Sequence, residues 1–197
     1  MSALPCLLVT AFEPFGADTV NASAEVLRLL PDEIGPWRIE KRLIPVVFGK
    51  GAETVIRYAE ETRARAVLCL GQSSGRASVT PEQVAINLRD ASIPDNAGHQ
   101  PRNEPVAAGG PDALFATLPA AEMADAIRAA GLPGTRSLSA GTFVCNDVLY
   151  SVLLHFRGSA VRAGFIHVPA LPGQHGIFLP ATVSAAAVET AVRSQLP

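Results

Sequence analysis

Cys145 is the residue in this sequence best placed to do covalent chemistry. It lies in Ser139-Ala-Gly-Thr-Phe-Val-Cys145-Asn146, where a strand is expected to end near Ala140, Gly141 permits a tight turn and a helix begins near Cys145. The apolar residues Val148, Leu149, Val152, Leu153 and Phe156 follow at helical spacing. A thiol in the first turn of a helix faces unpaired backbone N–H groups and the positive end of the dipole, and both favour the nucleophilic thiolate. The same N–H groups suit the oxyanion of an acyl-transfer intermediate. The bland alternative, a buried inert Cys at a helix start, is the commoner fate of such a residue.

A nucleophilic thiol needs a base. Of His99, His155, His167 and His175, His167 is best placed, because Gly164-Phe-Ile-His-Val-Pro169 puts it at the carboxyl end of an expected strand just before a proline turn. His155 falls on a helical stretch and reads as surface, His99 lies in a long loop, and His175 lies in a Gly-rich segment. No two histidines have the spacing of a zinc helix, so no metal and no cofactor is expected. A third group would orient the imidazole, and Glu13, Glu82, Asp90, Asp95, Glu104, Asn146 and Asp147 all remain candidates. Gly71-Gln-Ser-Ser-Gly75-Arg76 lacks both the P-loop ending and the GxGxxG order, so it reads as a tight turn beside the site, not a phosphate cradle.

Short apolar runs alternating with helical stretches must position these residues. Residues 6–10, 39–47, 66–70, 84–88, 135–140 and 163–168 read as strands. Residues 23–30 (with Ser23 as cap), 52–62, 119–130, 144–156 and 181–196 read as helices. The alternation predicts a single α/β domain over residues 1–197: an α/β/α sandwich around a twisted, largely parallel sheet. Ligands of such sheets gather at the carboxyl ends of strands, which points to the loops after Thr10, Leu70, Ala140 and Val168. Residues 92–111 form a stretch too long and too rich in Pro, Gly, Asn and Asp for a plain connector; such loops are functional or mobile.

With 197 residues, 48% of them apolar and 17% charged, the chain has material for one sizeable core. Sixteen Lys and Arg against eighteen Asp and Glu give a formal charge of -2 with no basic run, which argues against nucleic acid or an anionic membrane as partner. Cys6, Cys69 and Cys145 are odd in number and form no CxxC pair, so neither a disulfide framework nor a zinc ribbon is expected. Cys6 and Cys69 sit in apolar runs and read as inert. No charged leader precedes the first apolar run and no stretch reaches the ~20 apolar residues of a membrane span, so a reduced cytoplasm is the expected compartment.

These segments resemble the pyrrolidone-carboxylate peptidase (pyroglutamyl peptidase type I) family along nearly the whole chain. The resemblance runs through Thr10-Ala-Phe-Glu-Pro-Phe-Gly16, Val20-Asn-Ala-Ser23, Gly71-Gln72, Gly75-Arg76 and Thr80-Pro-Glu-Gln-Val-Ala-Ile-Asn87. It continues through Ile93-Pro-Asp-Asn96, Gly141-Thr-Phe-Val-Cys-Asn146 and Gly164-Phe-Ile-His-Val-Pro169. It implies a cysteine peptidase that removes N-terminal pyroglutamate, with Cys145 as nucleophile, His167 as base and Glu82 as the carboxylate. It also implies Phe12, Phe15 and Phe143, with Gln72 and Asn21, around the substrate ring, and a homo-oligomer, dimer or tetramer. Pyroglutamate is an uncharged lactam, and a free amine in the same apolar slot would lack a partner. Phe12 and Phe15 fall in a Gly/Pro-rich segment, a poor place for core. This chain departs from the family at Ala11, at Ser74-Gly75, in the segment Gly173-Gln-His-Gly176, and at Ser92, where the family has an arginine associated with the active site. Two other functions follow from these departures and from the fold. One is a pyroglutamyl-binding relative with little or no turnover; the other, on fold analogy alone, is a nucleoside phosphorylase-like enzyme.

Overall fold

The buried run Cys-Leu-Leu-Val-Thr-Ala-Phe forms the first strand of a computed structural model that describes residues 4–195. Along the chain, β1 (Cys6–Phe12) is followed by α1 (Ala22–Leu29), β2 (Glu33–Ile34), β3 (Trp37–Ile44), α2 (Lys50–Glu61), β4 (Ala66–Gln72) and β5 (Thr80–Pro81). Then come β6 (Val84–Ile86), β7 (Ala113–Phe115), α3 (Ala120–Ala129), α4 (Val144–His155), β8 (Arg162–Val168) and α5 (Ala181–Arg193). Six strands make one sheet in the order β2-β3-β1-β4-β8-β5. The four inner strands run parallel and both edge strands antiparallel.

Strand periodicity sorts the side chains into two cores. Leu7, Val9, Leu68, Leu70, Ile166 and Val168 face α1, α3 and α5. Cys6, Leu8, Phe12, Val67, Cys69, Ala163 and Phe165 face α2 and α4. The fold is the expected α/β/α sandwich on a largely parallel sheet. Phe12, Gly71 and His167 end the three central strands on the second of these faces, directly under the start of α4.

Several elements differ from expectation. Helix α1 begins one residue earlier than predicted and its cap is Asn21, whose Oδ1 accepts from Ser23 N at 3.0 Å. Ser23 is fully buried and ties the helix to the sheet: its Oγ accepts from Phe12 N and donates to Asn21 Oδ1. β3 stops at Ile44 because Pro45 has no N–H to continue a ladder. β6 pairs with β7 in a separate ribbon instead of joining the main sheet. Residues 135–140 form no strand. They run beside β5 through single bridges, Val79 with Gly134 and Glu82 with Ser137, because Pro81 between them has no N–H to donate. The last helix ends at Arg193, and Leu196 of the expected span lies outside the described residues.

The stretch 92–111 has no regular structure yet is tied down. Asp95 is buried and accepts from the backbone N–H groups of Phe48, Ala97 and His99, each at 2.9 Å. Burial pushes its carboxyl up, but those donors win and hold it below the usual carboxylate range. Ala91 N also donates to Pro101 O, and Asn87 brackets Ala107 with both ends of its carboxamide. Among the described residues, no helix is long and apolar enough to cross a membrane.

Candidate active site

Gly141 adopts the left-handed φ of +79° that turns the chain into α4, and Cys145 is the second residue of that helix. The N–H groups of Val144, Cys145 and Asn146 therefore have no partner within the helix. The two residues after the thiol fix where it stands. Asn146 is fully buried; its Oδ1 accepts from Ile86 N, and its Nδ2 donates to Ile86 O and Leu88 O. Asp147, also fully buried, accepts from Gly49 N at 2.7 Å and pairs with Arg89 at 2.5 Å. Burial pushes the Asp147 carboxyl up, while Gly49 N–H and Arg89 pull it back. Both residues were candidates for the third member, and the structure gives both to anchoring the helix.

His167 is 4% exposed and ends β8 beside Gly71 of β4. Its Nδ1 lies 2.7 Å from Glu82 Oε1. The antiparallel pairing of β5 with β8 makes this contact, because Thr80 lies opposite His167 and Glu82, two residues on, shares its face. A Cβ built on Gly71 would fall 3.0 Å from Cys145 Sγ and 2.7 Å from the Phe165 ring. The sulfur therefore sits over Gly71, next to the imidazole that Gly71 pairs with in register. The thiol lies over the neighbouring strand end, and the imidazole and carboxylate are in direct contact. Asp95, the other buried acidic candidate, is spent on backbone donors, and Glu13, Asp90 and Glu104 are exposed.

A cavity of about 270 Å³ opens beside the thiol, lined by Cys145, Phe12, Phe15, Phe143, Gln72 and Asn21 among others. Phe15 and Phe143 meet at 5.3 Å between ring centres, and Phe48 meets Phe143 edge-on at 5.2 Å. Phe48 was not singled out from sequence. Only its place after the Pro45 turn connects it to the site. Phe12, expected to be a poor core residue, is 2% exposed and serves as both cavity wall and core. Gln72 Oε1 accepts from Ala22 N at 2.7 Å, and Asn21 Nδ2 donates to Glu13 O, so these two side chains also brace the cavity's loops. Ser92 is exposed and is not among the cavity-lining residues. Arg76 and Arg89, the candidates to supply the expected arginine's charge, are committed to Glu82 and Asp147.

The surroundings of the thiol oppose the effect expected of the helix N-terminus. Burial, then the Glu82 charge, push the Cys145 thiol up to about 12, against smaller opposite effects of Arg76 and its own N–H. A helix N-terminus acts in the opposite sense, by roughly 0.3–1 kcal/mol at an exposed site and up to about 2 kcal/mol at a partly buried one. Burial also pushes the His167 imidazole below its ordinary value; Glu82 opposes the shift and Arg76 adds to it. These directions favour a neutral thiol and a neutral imidazole at rest, although Cys145 is only half-buried and lines the cavity. Cys69, wholly buried, is likewise pushed up to about 12 by burial.

The fold thus presents a cavity-lining thiol and a buried imidazole–carboxylate pair beside aromatic walls. Residues 6–195 match the family model described as pyroglutamyl peptidase. The pyrrolidone-carboxylate peptidase of Aliivibrio fischeri is 47% identical over 85% of this chain and 80% of its own length. That of Chromobacterium violaceum is 50% identical over 85% and 79%. The crystal structure of Bacillus amyloliquefaciens pyroglutamyl peptidase I superposes with a TM-score of 0.91 at 37% identity, covering 96% of each chain. The chain belongs to the pyroglutamyl peptidase family and is an enzyme of that family.

Two outcomes follow from this geometry. The rate of Cys145 alkylation by iodoacetamide should still be climbing as pH passes 9.0, the ordinary thiol value; a rate already level at neutral pH would show a preformed thiolate. Gly71→Ala should fold yet turn over a pyroglutamyl amide about 100-fold more slowly, because the added methyl displaces the sulfur and the Phe165 ring. Unchanged turnover would mean that the sulfur does not work from above Gly71.

Proposed function

We propose that this protein hydrolyses the amide bond after an N-terminal pyroglutamyl residue, with Cys145 as nucleophile, His167 as general base and then acid, and Glu82 as the carboxylate that orients the imidazole. The lactam ring enters the cavity between Phe12, Phe15 and Phe143. His167 Nε2 takes the thiol proton as Sγ attacks the acyl carbon, and the oxyanion forms at the free N–H groups of the α4 N-terminus. The imidazolium gives its proton to the leaving amine as the C–N bond breaks. Water, deprotonated by the same imidazole, then cleaves the thioester and releases pyroglutamate. The observation that carries this reading is the 2.7 Å contact of His167 with a carboxylate that is 1% exposed, beside a cavity lined by Cys145. A working thiol suits a reducing compartment, so we place the protein in the cytoplasm.

A chromogenic pyroglutamyl amide tests this. One equivalent of iodoacetamide should label Cys145 and stop hydrolysis. Cys145→Ala and His167→Ala should each lose about 10⁴-fold in kcat while staying folded, and Glu82→Gln should keep more activity. The acid limb of kcat/KM reports the base form of His167. Because burial lowers that group, activity should persist below pH 6.5 and fall only as pH drops through the lowered value. Full activity after complete labelling of Cys145 would end this reading.

A slow enzyme is the second reading, and a specific observation favours it: both candidate substitute arginines are already paired. Ser92 offers one neutral hydroxyl on a short stem, so oxyanion stabilisation rests on the helix N–H groups alone. Ser92→Arg should then raise kcat, by up to about 100-fold if a full donor is restored, with little change in KM. An unchanged or lower kcat would show that the missing guanidinium is not limiting.

A further inference from the structure

Arg76 leaves the β4–β5 loop and turns inward, with 24% of its side chain exposed. Its guanidinium reaches two segments far apart in the chain, the β5 edge and the loop before α4. One nitrogen donates to Glu82 Oε1 at 2.5 Å and to Thr80 Oγ1, both at β5. The other terminal nitrogen donates to Ser139 O at 2.9 Å, in the loop that leads to Cys145. The carboxylate oxygen it holds is the same one that meets His167, while Glu82 Oε2 has no protein partner. A buried carboxylate held through a single oxygen has a free rotation unless something fixes that oxygen. Arg76 fixes it, and does so through a planar fork that an ammonium cannot copy.

We propose that Arg76 is a positioning residue for this reaction: it clamps Glu82 Oε1 toward His167, ties that pair to the loop carrying the nucleophile, and offsets the carboxylate's charge. The proposal rests on the roles assigned above to Cys145, His167 and Glu82. Arg76 touches none of the reacting atoms, so its effect must pass through Glu82. The groups acting on this centre are Glu82 from the β5 edge, His167 from β8, Cys145 from α4, Cys69 from β4 and Arg76 itself. Arg76 is the one cation among them. Without it, Glu82 acts on the imidazole and the thiol unopposed, and both hold their protons to higher pH.

The test compares Arg76→Met and Arg76→Lys with the parent on a pyroglutamyl chromogenic amide across pH. Arg76→Met should lose about 10- to 100-fold in kcat at neutral pH with KM little changed. Its acid limb should move to higher pH, so the deficit shrinks as the solution is made more alkaline. Arg76→Lys keeps the charge but not the three-way fork; its acid limb should stay near the parent's while kcat recovers only partly. A merely structural role predicts a lower Tm with a uniform loss or none, and an unmoved acid limb, and that result overturns the proposal. If Arg76→Met does not fold, Arg76→Lys decides: kcat equal to the parent's refutes the clamp. If Cys145→Ala or His167→Ala keeps full activity, the underlying assignment fails; if both are inactive while Arg76→Met behaves as the parent, this proposal alone fails.

Discussion

A carboxylate with 1% exposure is the constraint around which this site is built. An isolated ionised group in such a place costs many kcal/mol, so its surroundings must be arranged to meet it. Glu82 is met on one oxygen by His167 Nδ1 and by Arg76. Each of those partners is itself fixed: His167 by its place at the end of β8, Arg76 by Thr80 and Ser139. The sheet edge, the turn after β4 and the approach to α4 are thus held in register by one buried ionic cluster. Burial of the same cluster pushes the thiol up and the imidazole down, both against a resting thiolate–imidazolium pair.

The rest of the fold delivers the thiol to that cluster. Periodicity of two brings Phe12, Gly71 and His167 to one face at the carboxyl ends of three strands. α4 lies over them, and its first turn is anchored by Asn146 to β6 and by Asp147 to Gly49 and Arg89. Three successive residues therefore have separate tasks: one lines the cavity and two hold the helix. Opposite them, Asn21, Ser23 and Gln72 brace the loop that carries Phe12 and Phe15. Cavity walls and nucleophile thus share the α2/α4 half of the sandwich, with the bracing loop supplied by the start of α1.

Much of this was legible in the sequence, for identifiable reasons. Inner parallel strands are buried on both faces and announce themselves as apolar runs, and His167 was found because it ends one of them. Cys145 was found because Gly141 and the periodicity of α4 mark a strand-to-helix turn. Local pattern failed where long-range pairing decides. Residues 135–140 look like a strand, but Pro81 in the neighbouring chain segment breaks their ladder. Ser23 looks like a cap, but the sheet needs its hydroxyl for Phe12 N. Glu82 could not be chosen among seven candidates by spacing, since its contact with His167 exists only through the β5–β8 register; only the resemblance pointed to it. Phe48 left no local signal, because its contacts with His99 and Phe143 join distant parts of the chain, and Arg76, though in the turn read as lying beside the site, meets Ser139 only through the fold.

At rest the site is expected to hold a neutral thiol and a neutral imidazole whose proton sits on Nδ1 against Glu82. Nitrogen-15 NMR of His167 in the ligand-free protein at neutral pH measures this directly. The account predicts one protonated ring nitrogen, Nδ1, and one bare one, Nε2, with a pattern that Cys145→Ala leaves unchanged. Two protonated nitrogens in the parent that revert to one in Cys145→Ala would reveal a thiolate–imidazolium pair and contradict it.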